Sequence, residues 1–164
     1  MWRELRRFGA VSLGGGTWAV PAAPAFADGL QRVAELVAKA EGQMVRFNAR
    51  TESVADEHLV QAEFNGARSA EWTEFTSECG KFAEEIAKEL RIGKLTVAEL
   101  DEEEHNLDRL RRWSRELHAR DIFRVVESAD ADEALKRCIE VLNRYADDIY
   151  RAVHAPLGTE TNDA

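Results

Sequence analysis

Three long stripes of apolar residues dominate the sequence from about residue 54 almost to its end. Within each stripe most steps are three or four residues, which places the apolar side chains on one face of an α-helix. Gly93 ends the first stripe, Thr96 with Glu99 forms a capping-box pattern for the second helix, and the third helix is expected after SADADE. Three such helices predict an antiparallel bundle over residues 53–155. The stripes are Trp72, Phe75, Cys79, Phe82, Ile86 and Leu90; Leu100, Leu107, Leu110, Trp113 and Leu117; and Leu135, Cys138, Leu142, Tyr145, Ile149 and Val153.

The first 52 residues predict a small α/β subdomain. Trp2, Leu5 and Phe8 recur every three residues, which indicates a short amphipathic helix. AVSL and TWAVP flank three consecutive glycines, a pattern that favours two short strands joined by a tight turn. A second helix follows and ends at Gly42, and the alternating segment QMVRFNAR, residues 43–50, predicts a further strand. The fold expected from both parts is α+β and mainly helical.

The N-terminal residues also resemble an export signal, with arginines followed by an apolar stretch and small residues. Polar residues and glycines interrupt that stretch, and Glu4 lies among the arginines, so folded structure is the favoured interpretation. No apolar run reaches the roughly 18 residues of a membrane span. Cys79 and Cys138 lack CxxC or metal-ligand spacing and are expected to be buried free thiols. We therefore expect a cytoplasmic protein that makes no membrane contact.

Charge is distributed unevenly along the chain. The net charge is -9, yet residues 1–50 carry seven basic and four acidic side chains, or +3, which leaves 15 basic and 27 acidic side chains, or -12, for the remainder. Such an acidic remainder argues against nonspecific binding of nucleic acid there. If the protein contacts DNA, the expected residues are Arg3, Arg6 and Arg7.

No signature of catalysis or metal binding is found. The four histidines are isolated, without ligand spacing, and no nucleophile motif is present. We therefore predict no catalytic residues, no metal, no cofactor and no enzymatic activity. Residues 109–124 hold six arginines against Glu116 and Asp121, and guanidinium groups suit oxyanions. Pairing of these arginines with acidic faces of neighbouring helices is favoured over an anion site, and an enzyme acting on an oxyanion or phosphate ester is the least favoured alternative.

Three segments taken in order carry a family resemblance: WRELRRFGAVSLGGGTWAVP, ECGKFAEEIAKELRIGKLTVAELDEEE and LDRLRRWSRELHARDIF. They resemble the N-terminal domain of ChrB-type chromate-resistance proteins. The resemblance implies a regulatory protein of the chromate response that acts on transcription, with chromate or sulfate as its oxyanion. On this basis Lys81, Arg112 and Arg120 are the candidate oxyanion-binding residues. The remaining matching positions are Glu78, Cys79, Phe82, Trp113 and Asp121.

The chain departs from the family pattern at both ends. Family members usually have an apolar strand before the first helix, in a ferredoxin-like βαββαβ arrangement, whereas Met1 falls where that helix begins. We therefore expect the sheet to re-pair or to leave open edges, and the true start codon stays open. Full-length ChrB proteins carry a further C-terminal domain that the resemblance associates with sensing, whereas this chain ends after the bundle. Its tail, residues 156–164, is expected to be disordered.

Two hypotheses of different class follow. The favoured one is a non-enzymatic, DNA-associated regulator of chromate resistance. The alternative is a helical interaction module or homodimer that uses an exposed Trp72 or Trp113 as its interface and does not bind DNA.

Overall fold

The computed structural model describes residues 1–154 and shows an α+β protein that is mainly helical, as predicted. The small N-terminal elements are helix α1 (Trp2–Arg7), strands β1 (Val11–Gly14) and β2 (Thr17–Ala19), a 3-10 turn (Pro24–Phe26) and helix α2 (Ala27–Lys39). The long helices are α3 (Val54–Ile92), α4 (Val97–Arg120) and α5 (Glu127–His154). The predicted tail, residues 156–164, lies outside the described residues.

The chain forms two compact units. Of the described residues, the first contains Met1–Thr73 and Ser114–Ser128, and the second contains Glu74–Trp113 and residues 129–154. Each long helix therefore contributes residues to both units. The division into a small α/β subdomain, residues 1–52, and a helical bundle, residues 53–155, stays a prediction.

The predicted hairpin is present in the first unit. Strands β1 and β2 pair antiparallel, with Val11 opposite Ala19 and Ser12 opposite Trp18. The connection runs through Gly14, Gly15 and Gly16, whose φ angles of 88°, 58° and 81° lie in the left-handed region. Glycine enters this region without the steric cost that other residues carry, which explains the run of three.

The small elements of the first unit share one apolar core. Its buried members come from α1, the chain just after it, and α2, with further side chains from the hairpin packed against them. Gly29 of α2 lies so close to the Phe8 ring that a Cβ would clash with it. The core therefore depends on a close approach between the helices. Its residues are Leu5, Ala10, Val33 and Val37, with Phe8, Trp18 and Val20 partly buried.

The prediction of a strand over residues 43–50 was wrong. Residues 42–51 have no regular secondary structure and are exposed throughout, with 84% of Val45 and 73% of Phe47 accessible. A strand requires a neighbour for its backbone hydrogen bonds, and the sheet within residues 1–154 contains β1 and β2 alone. The alternating apolar residues favour an extended backbone, but within residues 1–154 no other strand pairs with this segment.

The second unit consists of segments of the three long helices, and the predicted stripes are largely confirmed as its core. Thr96 caps α4 as predicted, since its Oγ1 accepts the Glu99 N–H at 3.3 Å. Leu90 and Val153 were predicted to face inward but lie outside this core, because 38% and 56% of their surface is exposed. The buried stripe residues are Phe75, Cys79, Phe82 and Ile86 of α3, Leu107 and Leu110 of α4, and Cys138, Leu142, Tyr145 and Ile149 of α5.

Helix α5 begins earlier than expected. Residues 128–133 were predicted to precede the helix, yet α5 starts at Glu127. The Ser128 hydroxyl donates to the Val125 carbonyl at 2.7 Å, and carboxylates in the first turns face the partial positive charge of the helix start. The acidic residues and alanines of this segment are therefore compatible with a helix N-terminus.

Candidate functional site

Two arginines and a glutamate link three distant parts of the first unit. Glu71 of α3 accepts hydrogen bonds from Arg68 Nη2 at 3.2 Å and from Arg120 Nε at 2.9 Å. Arg68 Nη1 donates to the Gly9 carbonyl at 3.1 Å, and Arg120 Nη1 donates to the Arg7 carbonyl at 3.0 Å. We call Arg68, Glu71 and Arg120 the arginine network. It fixes the turn between α1 and β1 against the long helices of the same unit.

Arg68 is the buried member of the network, with 4% of its surface exposed. Burial lowers the pKa of Arg68 because it disfavours the charged guanidinium, while the Glu71 carboxylate opposes that shift and Arg120 adds to it. Arg68 Nε lies 3.0 Å from Glu71 Oε2 without a hydrogen bond, so that contact is electrostatic only. Glu71 therefore supplies both the counter-charge and a hydrogen-bond acceptor for a guanidinium that has little access to water.

Gly9 makes room for both arginines. Its φ angle is +94°, and a Cβ at this position would clash with the Arg68 guanidinium and lie 3.0 Å from Arg120 Cδ. Backbone conformation and side-chain space thus both require glycine here. The arginine network can therefore pack against the turn after α1 only if residue 9 is glycine.

Asp121 and Trp72 form a second buried contact in the first unit. Trp72 is fully buried, and its Nε1–H donates to Asp121 Oδ2 at 2.9 Å. Asp121 Oδ1 accepts the Val125 N–H at 3.3 Å, so the same carboxylate holds the chain that follows α4. The alternative of an exposed Trp72 at a partner interface was therefore wrong.

Helix α1 presents an exposed basic and aromatic face. Trp2 is 55% exposed, and the guanidinium carbons of Arg3 and Arg6 lie 5.5 and 5.6 Å from its ring centroid. Glu4 faces elsewhere, since it accepts a hydrogen bond from Arg32 Nε at 3.0 Å and lies 3.9 Å from Arg7 Nη1. Among residues 1–154, Arg3 and Arg6 form no ion pair. Their charges are therefore available to a partner.

A shallow cleft lies between α3 and α4 in the second unit, with a volume of about 230 Å³. Its cations are Lys81 and Arg109, and its carboxyl groups are Glu78, Glu85 and Glu103. Burial raises the pKa of Glu103. The three carboxyl groups outnumber the two cations, and Lys81 already pairs with Glu78 at 2.5 Å. This cleft offers no excess of positive charge for a dianion such as chromate.

Comparison with known families assigns the chain. A family model described as Protein ChrB, N-terminal matches residues 1–156. The chain belongs to the ChrB N-terminal family. The resemblance seen in the sequence is thus confirmed, and the chain is related to chromate resistance. Comparisons with curated proteins and with solved structures gave no match.

The ChrB N-terminal family segments fall in both units. Lys81 and Arg112 belong to the second unit and are exposed, whereas Arg120 belongs to the first. Arg120 uses Nε and Nη1 within the arginine network, so an anion would have to compete with Glu71 and a backbone carbonyl. The assignment of Lys81, Arg112 and Arg120 to an oxyanion site stays a prediction.

The other family positions make structural contacts. Cys79 is buried, Glu78 pairs with Lys81, and Asp121 holds Trp72. Trp113 is partly buried, with its ring centroid 5.3 Å from that of Phe75 in an edge-on arrangement.

Arg68 and Glu71 were not singled out in the sequence. One signal was present, because Phe64, Arg68 and Trp72 recur every four residues, which places the arginine within a buried apolar register. A charged residue in such a register requires a partner. Sequence spacing could not identify Arg120 or the Gly9 carbonyl as the neighbours.

Two further observations concern the whole described chain. No helix within residues 1–154 combines the length and the hydrophobicity that crossing a membrane requires. Over the same residues, histidine, cysteine and carboxylate side chains do not gather in groups of three that could ligate a metal ion.

Proposed function

We propose that this chain is a non-enzymatic regulatory protein of chromate resistance that contacts DNA through the exposed face of α1. The observation that carries the proposal is the cluster of Trp2, Arg3 and Arg6, in which two unpaired guanidinium groups flank an exposed indole. Arginine neutralises phosphates, and an exposed aromatic ring adds contact with sugars or bases.

The charge distribution supports this choice of surface. The +3 charge of residues 1–50 lies on the same segment as the cluster, whereas the remainder carries -12. A strongly acidic remainder repels the DNA backbone, so an approaching duplex would be oriented towards the N-terminal segment.

Anchoring of α1 supports the proposal as well. The turn after the helix is held by hydrogen bonds from Arg68 and Arg120 to the Gly9 and Arg7 carbonyls. Leu5 of the same helix is buried in the apolar core. A helix fixed in this way presents its arginines in one orientation, which lowers the entropy lost on binding.

Fluorescence anisotropy with a labelled duplex tests the proposal. The wild-type chain is titrated at several salt concentrations and compared with the double variant Arg3→Ala/Arg6→Ala. Because each phosphate contact contributes about 0.9 to the slope of log K against log salt, loss of two contacts should lower the slope by about 1.8. Circular dichroism checks that the variant retains its helices.

A matched variant distinguishes the effect of losing the α1 arginines from the effect of lowering the net charge. Arg91→Ala/Arg144→Ala also removes two exposed arginines, but from α3 and α5 in the second unit. It should bind DNA as wild type does. Equal weakening by both double variants, or the absence of wild-type binding at low salt, would contradict the proposed interface.

Binding of chromate or sulfate is a separate prediction of the family resemblance. Calorimetric titration with chromate, sulfate and phosphate, repeated with Arg112→Ala, tests it without disturbing the arginine network. The homodimer also stays a prediction, now without Trp72 as its contact.

A further inference from the structure

The two cysteines of the chain face each other inside the second unit. Cys79 of α3 and Cys138 of α5 are both free thiols, with 2% and 1% of their surface exposed. Cys138 Sγ lies 3.3 Å from the Cys79 carbonyl oxygen, to which its thiol donates a hydrogen bond. A thiol that reaches the backbone of the partner cysteine needs only small side-chain rotations for the two sulfur atoms to approach the disulfide bond length of about 2.05 Å.

The pair is chemically asymmetric. A hydrogen bond from Cys79 stabilises the Cys138 thiolate and lowers the pKa of Cys138, with the Arg137 charge assisting. The same contact, together with burial, raises the pKa of Cys79. Because the thiolate is the nucleophile, Cys138 is the sulfur that reacts first with an oxidant.

An oxidant can reach the pair through local opening of α3. Gly80 follows Cys79 in the middle of this helix, and a Cβ there would meet nothing within 4 Å, so no packing requires the glycine. Glycine in a helix interior weakens the helix relative to alanine, which favours transient opening of this turn. A hydroperoxide as small as hydrogen peroxide needs little more space than water.

We propose that Cys79 and Cys138 form a reversible intramolecular disulfide when the protein meets hydrogen peroxide. The Cys138 thiolate attacks one peroxide oxygen, the O–O bond breaks, and Cys138 becomes a sulfenic acid as the other oxygen leaves as water. The Cys79 sulfur then attacks the Cys138 sulfur, the S–O bond breaks, and the second oxygen leaves as water with the Cys79 proton. Two thiols and one peroxide thus give one disulfide and two waters, and two electrons pass from sulfur to oxygen.

The cross-link would tie α3 to α5 across 59 residues of sequence. It constrains the second unit and leaves the residues of the proposed DNA-binding face untouched. The inference therefore does not rest on the proposed function, and failure of one leaves the other standing.

Mass spectrometry of the full-length wild-type chain provides the test. After treatment with hydrogen peroxide the intact mass should fall by about 2 Da, the mass of the two hydrogens lost on forming one disulfide. Both thiols should then resist alkylation in guanidinium chloride, peptide mapping should join the Cys79 and Cys138 peptides, and dithiothreitol should restore both thiols. Two thiols that remain fully alkylated, sulfinic acid without a cross-link, or a link between two chains would overturn the proposal.

Single variants test the order of the two steps. In Cys79→Ala, the Cys138 sulfenic acid has no partner and should be trapped by dimedone. In Cys138→Ala, Cys79 should remain unlabelled, and dimedone labelling of Cys79 there would overturn the assigned order. Gly80→Ala should slow cross-linking in the otherwise wild-type chain by about fivefold, the factor that the helix propensities of glycine and alanine give. An unchanged rate would overturn the route through local opening.

Discussion

Glu71→Gln removes the carboxylate that accepts hydrogen bonds from both Arg68 and Arg120. Glutamine keeps the size of the side chain and one carbonyl acceptor, but it cannot neutralise the guanidinium groups. Arg68 has a side chain that is only 5% exposed, so water cannot readily replace the lost carboxylate. The expected result is a less stable first unit with an unchanged helix content.

The magnitude follows from the exposure of the partners. Hydrogen bonds to charged groups contribute about 1.5–3 kcal/mol each. The bond to Arg68 should count almost fully, whereas the side chains of Arg120 and Glu71 are 12% and 25% exposed, so the bond to Arg120 is partly replaced by solvation. The free energy of unfolding should therefore fall by about 3 kcal/mol, at the lower end of the range for breaking a buried ion pair.

Urea unfolding, followed by circular dichroism and tryptophan fluorescence, measures this change. Glu74→Gln is the matched control, because Glu74 is an exposed carboxylate on the same helix and its loss should cost less than about 0.5 kcal/mol. A cycle with Arg120→Gln isolates the pair and should give a coupling energy of about 1–2 kcal/mol. A Glu71→Gln variant within about 1 kcal/mol of wild type would refute the reasoning, since Arg68 would then need no counter-charge.

Two further substitutions give independent predictions. Burial raises the pKa of Glu89, so its folded state holds the proton more tightly than the unfolded chain does, and the stability from this group is lost as the pH rises above the ordinary value of 4.5. Glu89→Gln should therefore gain stability relative to wild type in urea titrations as the pH rises above about 4.5, and a difference that does not vary with pH would contradict this. Gly9→Ala should cost at least about 2 kcal/mol, because strain at positive φ adds to a clash with Arg68. Gly14→Ala, which has positive φ but open space, should cost only about 1 kcal/mol in the same thermal or urea unfolding assay, and equal losses would remove the clash from the explanation.

The helices and the hairpin were predictable because their signals are local. Steps of three and four residues define α3, α4 and α5 without reference to anything distant, and three consecutive glycines define the turn of the hairpin. Residues 43–50 show the limit of such signals. Their alternation describes a preference of the backbone, whereas a strand exists only where another strand pairs with it, and this pairing is not encoded within the segment.

The candidate site was predictable only in part. Arg3 and Arg6 were identified from local charge, and the structure leaves them exposed beside Trp2. Arg120 was assigned to anion binding from the family resemblance and because arginine suits oxyanions, but its geometry depends on Glu71, 49 residues away, and on a backbone carbonyl 113 residues away. Contacts over such separations arise from tertiary packing, so residue type alone could not distinguish a ligand site from an internal ion pair.

The same separations constrain how the protein folds during its synthesis. The Arg7 carbonyl can accept its hydrogen bond only after Arg120 has been synthesised, 113 residues later. The Gly9 carbonyl can accept its bond only after Arg68 has been synthesised, 59 residues later. Local helices such as α3 can form as they leave the ribosome, whereas closing these long loops is slow. The turn after α1 is therefore held by Arg120 only late in synthesis, whereas the apolar side of α1 can pack early against Val33 and Val37 of α2.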